Sequence, residues 1–146
     1  MQCDIHAKEA RSRNMAAIRG KNTRLEMTVR RGLHARGLRY SLHGKGLPGK
    51  PDLVFRSRKT VLFVHGCFWH AHEGCTAFRL PKTRPDEWAA KLFGNRRRDA
   101  RVKDGLETLG WRVLVVWECE IRGKTPDQVS ALLESLANRI KAGQAQ

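Results

Sequence analysis

A seven-residue, almost continuously apolar run, residues 111–117 (WRVLVVW), constrains the fold of this chain most strongly. A strand with one face in water would alternate apolar and polar side chains, so this run predicts a strand that is buried on both faces. Such a strand needs further layers of structure packed above and below its sheet. We therefore expect Trp111 and Trp117 to be core residues.

Helical patterns lie on both sides of this strand. Apolar residues at helical spacing predict a helix over residues 24–36, which begins with a capping box formed by Thr23 and Glu26. Gly37 is a suitable residue to end this helix. A second capping box, which starts at Thr125 and has proline at the first helical position, predicts the last helix of the chain.

The middle of the chain adds β-rich and helical segments. We predict a hairpin over residues 52–55 and 60–65, a helix from about residue 85, and another helix over residues 96–109. This alternation favours the α/β class, with a small mixed sheet flanked by helices. The length predicts a single domain over residues 1–146, with flexible tails at residues 1–10 and 142–146.

The chain is strongly basic, with a formal net charge of +15. The net charge is +9 over residues 1–50, +5 over residues 51–100 and +1 over residues 101–146. This excess predicts a polyanionic partner, and nucleic acid is favoured, although ribosomal and membrane-surface proteins share such a charge. The sequence has no membrane-length apolar run and no secretory signal pattern, so we expect a soluble intracellular protein.

A cluster of metal-binding residue types lies in an irregular segment of the chain. Cys67, His72 and Cys75 fall within nine residues, and Cys119 lies just past the end of the strongest predicted strand. Three thiolates and one imidazole are typical of a closed structural zinc site, which would tie the segment to the sheet. Alternatively, Cys119 is a buried strand-end residue and the other two cysteines are incidental. Cys3 lies far from the cluster in sequence, and we assign it no role.

An acidic residue and two histidines flank the predicted hairpin. Asp52 stands where the first strand begins, His65 ends the second strand, and His70 follows shortly after. A carboxylate at a strand end beside a basic groove can hold Mg²⁺ against a phosphate, and a neutral histidine nearby can deprotonate a water. Aspartate after proline is also a common turn residue.

Asp99 shares a helix face with apolar residues, so its carboxylate is expected to point inward. A buried carboxylate needs a partner, and the N–H of a histidine would both satisfy it and fix the imidazole tautomer. The alternative is an interaction with the helix dipole and an ion pair with Arg96 or Arg98.

Three aromatic residues, Phe68, Trp69 and Trp88, lie among basic residues in the irregular half of the chain. Aromatic side chains in such positions often fill a core. Beside a cationic groove they can instead stack on nucleic-acid bases or insert between base steps.

Several longer motifs occur in the same order as in a known nuclease family. They are residues 47–52 (LPGKPD), 64–70 (VHGCFWH) and 110–119 (GWRVLVVWEC), and residues 11–15 (RSRNM) fit the opening motif of that family. Over about residues 4–123 the chain resembles the very-short-patch repair (Vsr) mismatch endonucleases. Several long motifs in one order are more specific than a single short motif.

The resemblance implies a restriction-endonuclease-like fold and an Mg²⁺-dependent enzyme that cuts one DNA strand 5′ to the T of a T:G mismatch. Such mismatches arise when 5-methylcytosine deaminates. The expected partner is therefore double-stranded DNA with a T:G mismatch, with mismatch-repair proteins as further partners. We expect a monomer that acts in the bacterial cytoplasm, at the nucleoid, and not at a membrane.

The resemblance also implies roles for individual residues in the reaction. Asp52 and the backbone carbonyl of Val64 would bind Mg²⁺, His70 would be the general base, and Asp99 would orient His70. His65 would lie near the phosphate.

Further residues match other parts of the family pattern. Glu26 matches an acidic residue close to the active site, although its role in the capping box is the more secure interpretation. The residues that match the structural zinc ligands of the family are Cys67, His72, Cys75 and Cys119. The residues that match the aromatic side chains that intercalate beside the mismatch are Phe68, Trp69 and Trp88.

The chain departs from related nucleases in two places. The strand at residues 60–65 lacks the second acid and the lysine that are usual in restriction-type nucleases, and Gly74 is an apparent insertion between His72 and Cys75. Two alternative functions remain open: a restriction-like nuclease with a different DNA target, and a non-catalytic zinc-containing DNA-binding module.

Overall fold

The computed structural model describes residues 24–143, which form helices on both faces of one small sheet. Thr23 and the motif at residues 11–15 lie outside the described residues. The helices are α1 (Arg24–Ala35), α2 (Pro85–Thr108) and α3 (Pro126–Ala142), and the strands are β1 (Ser41–Leu42), β2 (Leu53–Phe55), β3 (Thr60–His65) and β4 (Arg112–Trp117). Short 3₁₀ turns, Arg56–Arg58 and Glu118–Glu120, follow β2 and β4.

The sheet is mixed, with the strand order β1-β2-β3-β4. β2 and β3 form the predicted antiparallel hairpin, whereas β3 and β4 are parallel, with His65 opposite Trp117 at their ends. Two parallel strands need a long crossover connection, and the segment that contains α2 supplies it. This connection sends the chain from the end of β3, where the Cys- and His-rich loop begins, back to the start of β4.

Two apolar clusters cover the two faces of the sheet. On one face, Val29 and Leu33 of α1 and Ile140 of α3 pack against strand residues that include Leu62. On the other face, Leu106 of α2 packs against alternate residues of the same strands. The α/β prediction is confirmed. β4 has both faces covered as predicted, although four of its six residues are only half-buried because it is the edge strand.

The two helices predicted between residues 85 and 109 are one helix, α2, of 24 residues. Gly94 and Asn95 interrupt the apolar pattern, and a glycine inside a helix costs about 1 kcal/mol relative to alanine. Tertiary contacts offset this cost, because Asn95 Nδ2 donates to the carbonyl of Trp69 at 3.0 Å and Arg96 Nε donates to that of Ala71 at 2.9 Å. The prediction of two helices was wrong because local pattern carries no information about these contacts.

The predicted helix ends are confirmed where the structure describes them. Gly37 has a φ of +86° and ends α1 in a Schellman arrangement, in which the N–H of Leu38 donates to the carbonyl of Leu33. At the start of α3, Thr125 and Gln128 form the reciprocal capping box. Among residues 24–143, no helix is long and apolar enough to cross a membrane.

Candidate active site and metal centre

A groove of about 1090 Å³ lies where α1, the ends of β2 and β3, and the middle of α2 come together. All five residues predicted to be catalytic line it, namely Glu26, Asp52, His65, His70 and Asp99. Val64, Phe68 and Trp69 line it as well, whereas Trp88 does not. Its basic lining residues are Arg24, Lys50, Arg98 and Arg122, in addition to the histidines. Four acidic residues, Glu26, Asp52, Asp99 and Glu118, also line the groove, so its formal positive and negative charges balance. The carboxylates suit a divalent cation, and the Arg and Lys side chains suit a phosphate backbone.

Asp52 is anchored by the strand opposite to it. The backbone N–H of Val64 in β3 donates to Asp52 Oδ2 at 2.7 Å, a contact that the antiparallel pairing of β2 with β3 sets up. Burial raises the pKa of Asp52 to about 6, and the nearby Glu26 adds to this rise. A half-buried, hydrogen-bonded carboxylate next to a second acid is a favourable position for a cation.

His70 and Asp99 form a close pair across the groove. His70 Nδ1 lies 2.6 Å from Asp99 Oδ2, and both side chains are about 30 % exposed, at 28 % and 30 % respectively. A carboxylate at this distance assigns the proton to Nδ1 and leaves the lone pair on Nε2. The structure therefore pairs Asp99 with a histidine, whereas Arg96, one of the alternative partners, donates to the carbonyl of Ala71.

His65 is buried directly behind His70. Their rings are stacked, with centroids 3.7 Å apart and planes 5° from parallel. Burial lowers the pKa of His65 to about 3, so this imidazole is neutral. His65, His70 and Asp99 are close enough together to hold a metal ion. However, lone pairs in two parallel ring planes do not converge on one ion without rotation of a ring, so the stacked pair suits proton transfer better.

Cys67, His72, Cys75 and Cys119 converge as the sequence predicts. Their ligand atoms all lie within 4.8 Å of one another, and His72 Nδ1 is 3.6 Å from Cys119 Sγ. Zn–S bonds of about 2.3 Å arranged as a tetrahedron place sulfur atoms about 3.8 Å apart, so the four residues fit a Zn²⁺ ion. Burial raises the pKa of Cys67 to about 12, so the thiol would lose its proton to a bound metal and not to water at neutral pH.

Local backbone geometry brings these four residues together. The N–H of His72 donates to the carbonyl of Cys67 at 2.9 Å, and that of Cys75 donates to the carbonyl of His72 at 3.3 Å. Gly74, the apparent insertion, has a φ of +73° and makes the tight turn between His72 and Cys75 possible.

Trp117 has a different environment from the one predicted. It is half-buried, and its ring stacks on His72 with centroids 3.8 Å apart and planes 6° from parallel. Because Trp117 lies opposite His65 at the end of the parallel pair, it projects towards the loop and not into the interior of the sheet. The prediction that Trp117 is a core residue was wrong, whereas Trp111 is buried as expected.

Phe68, Trp69 and Trp88 form one aromatic cluster beside the groove. The ring centroids are 5.1 Å apart for Phe68 and Trp69, 5.5 Å for Phe68 and Trp88, and 6.1 Å for the two tryptophans. All three rings are half-buried, and Lys91 Nζ lies 5.5 Å from the centroid of each tryptophan ring. A partly exposed aromatic cluster next to a cation is a suitable surface for stacking on bases.

Glu26 lies inside the groove and is 4 % exposed. Glu26 Oε1 accepts a hydrogen bond from Arg30 Nη2 at 2.7 Å, and His43 Nε2 lies 3.2 Å from the same Arg30 nitrogen. One ligand atom each of Glu26, His43 and Asp52 lies within 4.8 Å of the others. The structure thus places Glu26 beside Asp52, as the resemblance implies, while its capping partner Thr23 lies outside the described residues.

Comparison with known proteins identifies the relationship that this geometry suggests. Residues 3–76 match the family model described as DNA mismatch endonuclease Vsr. The DNA mismatch endonuclease Vsr of Escherichia coli (strain K12) is 43% identical over 137 residues, which cover 94% of this chain and 87% of the relative.

This chain belongs to the Vsr family of DNA mismatch endonucleases.

Relatives with other names agree with this. The type II nicking enzyme V.XorIIP of Xanthomonas oryzae pv. oryzae is 55% identical over 113 residues, or 77% of this chain and 82% of the relative. The type II nicking enzyme V.NmeAIP of Neisseria meningitidis serogroup A is 42% identical over 121 residues, or 83% of this chain and 86% of the relative. As a Vsr protein, the chain is a DNA endonuclease with a restriction-endonuclease-like fold, and its family uses a divalent metal.

Sequence reasoning missed two pairs of residues that build the Vsr site of this chain. Asn95 and Arg96 fix the loop that carries His70 through backbone carbonyls, and no sequence pattern indicates such contacts. Arg30 and His43 surround Glu26. The spacing of four residues between Glu26 and Arg30 could have indicated that pair, because such residues are neighbours on a helix surface.

Proposed function

We propose that this chain is an Mg²⁺-dependent endonuclease that nicks one strand 5′ to the T of a T:G mismatch, in very-short-patch repair of deaminated 5-methylcytosine. The observation that supports this best is the arrangement of the His70–Asp99 pair and the Asp52 carboxylate around one groove that also presents Arg and Lys side chains. Membership of the Vsr family supports the substrate class. The aromatic cluster at the groove supports an irregular duplex as substrate, because such rings can occupy an opened base step.

The carboxylate of Asp52 and the backbone carbonyl of Val64 would hold the Mg²⁺ ion, with Glu26 close by. Oxygen ligands of this kind are the ones that Mg²⁺ prefers. When bound, the ion supplies Lewis-acid chemistry at the scissile phosphate and at water. The hydrogen bond from Val64 N–H orients Asp52 for this role before any metal binds.

His70 would act as the general base. Asp99 holds the proton on Nδ1, so Nε2 is free to accept a proton from the attacking water. Asp99 also stabilises the imidazolium that forms. The neutral ring of His65, stacked on His70, would lie near the phosphate and keep the base in one orientation.

The zinc ion would be structural. It would fix Cys67, His72 and Cys75 against Cys119, which follows β4, and His70 lies between the first two of these residues in the chain. The metal would thereby stabilise the loop that carries the general base.

Phe68, Trp69 and Trp88 would insert or stack beside the mismatch, and the basic residues of the groove would bind phosphates. We propose a single-domain monomer that acts on chromosomal DNA in the bacterial cytoplasm, with mismatch-repair proteins as further partners. The phosphate contacts set affinity, whereas the aromatic contacts select the mismatch.

The deciding experiment uses an end-labelled duplex with one T:G pair and a matched T:A duplex, each with Mg²⁺ or with EDTA. We expect one nick, 5′ to the mismatched T, only with T:G and Mg²⁺. Equal cutting of both duplexes would indicate a nuclease with another target. Tight, salt-sensitive binding without any cutting would indicate a DNA-binding module.

A further inference from the structure

Arg30 is a buried cation at the edge of the groove. It is 8 % exposed, and its guanidinium contacts Glu26 Oε1 at 2.7 Å and His43 Nε2 at 3.2 Å. Tyr40 donates its hydroxyl to the backbone carbonyl of Arg30 at 3.0 Å, which fixes this turn of α1. Burying a charged side chain to this depth lowers the stability of the folded protein unless the charge is paired and hydrogen-bonded.

His43 is held close to Asp52 by the backbone. Its N–H donates to the carbonyl of Asp52 at 3.1 Å, and its φ of +54° is in the left-handed region. Arginine has only donors, so the contact of Arg30 Nη2 with His43 Nε2 uses the lone pair of that nitrogen. Nδ1 faces Glu26 Oε1 at 3.9 Å, which is longer than a hydrogen bond.

Glu26, His43 and Asp52 therefore look like a three-ligand metal site but already contain a cation. Arg30 Nη2 contacts both Glu26 Oε1 and His43 Nε2, so two of the three groups that a metal ion would need are already in contact with a cation. The guanidinium lies between His43 and Glu26, where such an ion would bind.

We propose that Arg30 is a positioning residue that holds the Glu26 carboxylate beside Asp52 and takes the place of a second divalent ion among Glu26, His43 and Asp52. This inference rests on the proposed function, in which Asp52 binds the Mg²⁺ ion. Arg30 touches neither the metal nor the substrate and acts through Glu26.

The test compares Arg30→Met, Arg30→Lys and the control Arg31→Met, which removes the same charge from an exposed position of α1. Mn²⁺ binding without DNA is measured by calorimetry, and nicking of the T:G duplex is measured under single-turnover conditions. Loss of the fixed positive charge should tighten Mn²⁺ binding by Arg30→Met by about threefold or more. A displaced Glu26 should slow nicking by about tenfold or more in the same variant.

Arg30→Lys keeps the charge but lacks the planar fork that bridges Glu26 and His43. We expect its Mn²⁺ affinity to stay at the wild-type value while nicking slows, and we expect both quantities to be unchanged in Arg31→Met. Weaker Mn²⁺ binding by Arg30→Met in parallel with a lower melting temperature would make Arg30 merely structural and overturn the proposal. If Arg30→Met does not fold, wild-type nicking by Arg30→Lys overturns it equally.

The calorimetric measurement needs no substrate. Failure of the wild type to nick T:G duplexes would therefore count against the proposed function alone, and the Mn²⁺ difference would still decide the role of Arg30.

Discussion

His65 and His70 stack face to face, with ring centroids 3.7 Å apart, and only His70 is bonded to a carboxylate. The two rings come from different structural contexts, because His65 ends β3 whereas His70 lies in the loop that follows. Strand geometry thus provides a rigid surface against which a loop residue is oriented. The two rings therefore differ: His65 is buried and neutral, whereas His70 is half-exposed and hydrogen-bonded to Asp99. This difference leads to the first prediction.

Asp99→Asn should lower the single-turnover nicking rate by roughly 10³-fold, because an amide can stabilise the wrong tautomer of His70 and cannot stabilise the imidazolium. DNA affinity, measured by a gel-shift titration, should stay within about twofold, since an anionic carboxylate that pairs with His70 is not a group that binds a phosphate. Asp104→Asn, at an exposed position of the same helix, is the matched control. A rate for Asp99→Asn that equals the rate of this control would remove Asp99 from the mechanism.

Asp52→Asn should abolish Mg²⁺-dependent nicking and leave binding of the T:G duplex intact. The substitution keeps the size of the side chain and its ability to accept the hydrogen bond of Val64, but removes the charge that would hold the metal. Calorimetry with Mn²⁺ should show loss of binding in the groove. Residual nicking above about one hundredth of the wild-type rate would argue that another group binds the metal.

Metal binding should depend on pH through Asp52. Burial raises the pKa of this carboxyl to about 6 in the metal-free protein, and the metal requires the deprotonated form. Mn²⁺ affinity should therefore be nearly constant above pH 7 and should fall by about tenfold per pH unit well below pH 6. Calorimetry in two buffers of different ionisation enthalpy at pH 6 should detect proton release. An affinity that is flat down to pH 5 would contradict the prediction.

Removal of zinc should inactivate the enzyme without touching the groove directly. Cys119→Ser should lose the bound zinc, measured by elemental analysis as one ion per wild-type chain, and should lower both the melting temperature and the nicking rate. Zinc would join Cys67, His72 and Cys75 of the loop that carries His70 to Cys119, in addition to the contacts that Asn95 and Arg96 make with this loop. Cys3→Ser is the control, and we expect it to keep zinc. Full activity of a zinc-free Cys119→Ser protein would refute a structural role for the metal.

Gly49→Ala should destabilise the fold, because a Cβ there would lie 2.4 Å from Val102 Cγ1 and the residue has a φ of +71°. The left-handed conformation and the overpacking together should cost about 2–4 kcal/mol in urea denaturation. Gly46→Ala is a close control, since Gly46 has a φ of +87° and open space around it.

The difference in the free energy of unfolding between Gly49→Ala and Gly46→Ala measures the effect of the contact between the loop before Asp52 and α2. Adding Val102→Ala should restore part of the stability that Gly49→Ala loses, but none of the stability that Gly46→Ala loses. Equal stabilities of the two glycine variants would mean that the collision with Val102 is relieved at no cost.

Much of this site could be predicted from sequence because its residues are unusual for their positions. Asp52 with His65 and His70 around one hairpin, and Cys67 with Cys75 in an irregular segment, are combinations of acid–base and metal-ligand side chains that packing alone does not require. The partner of Asp99 could only be narrowed to a histidine or an arginine, because pairing across 29 residues depends on the path of the loop.

The two wrong predictions, which concern the continuity of α2 and the environment of Trp117, have a common physical origin. The continuity of α2 depends on Asn95 and Arg96 binding carbonyls of a distant loop, and the environment of Trp117 depends on its register opposite His65. Both are consequences of tertiary pairing that local propensity does not encode. Glu26 was predicted near the site, and its pairing with Arg30 would have been found by applying the helix-neighbour rule to the charged residues of α1.

Because α2 is one continuous helix, it fixes the distance and the angle between the side chains that it carries. Trp88, proposed to contact the mismatched step, and Asp99, proposed to orient the base, are eleven positions apart in one continuous helix, or about 16 Å. The offset between the base step that is recognised and the phosphate that is attacked would therefore be set by the number of residues between them in α2 and not by a flexible joint. Inserting one residue between Trp88 and Asp99 would turn the two side chains by about 100° relative to each other, which would uncouple recognition from cutting while each half remained intact.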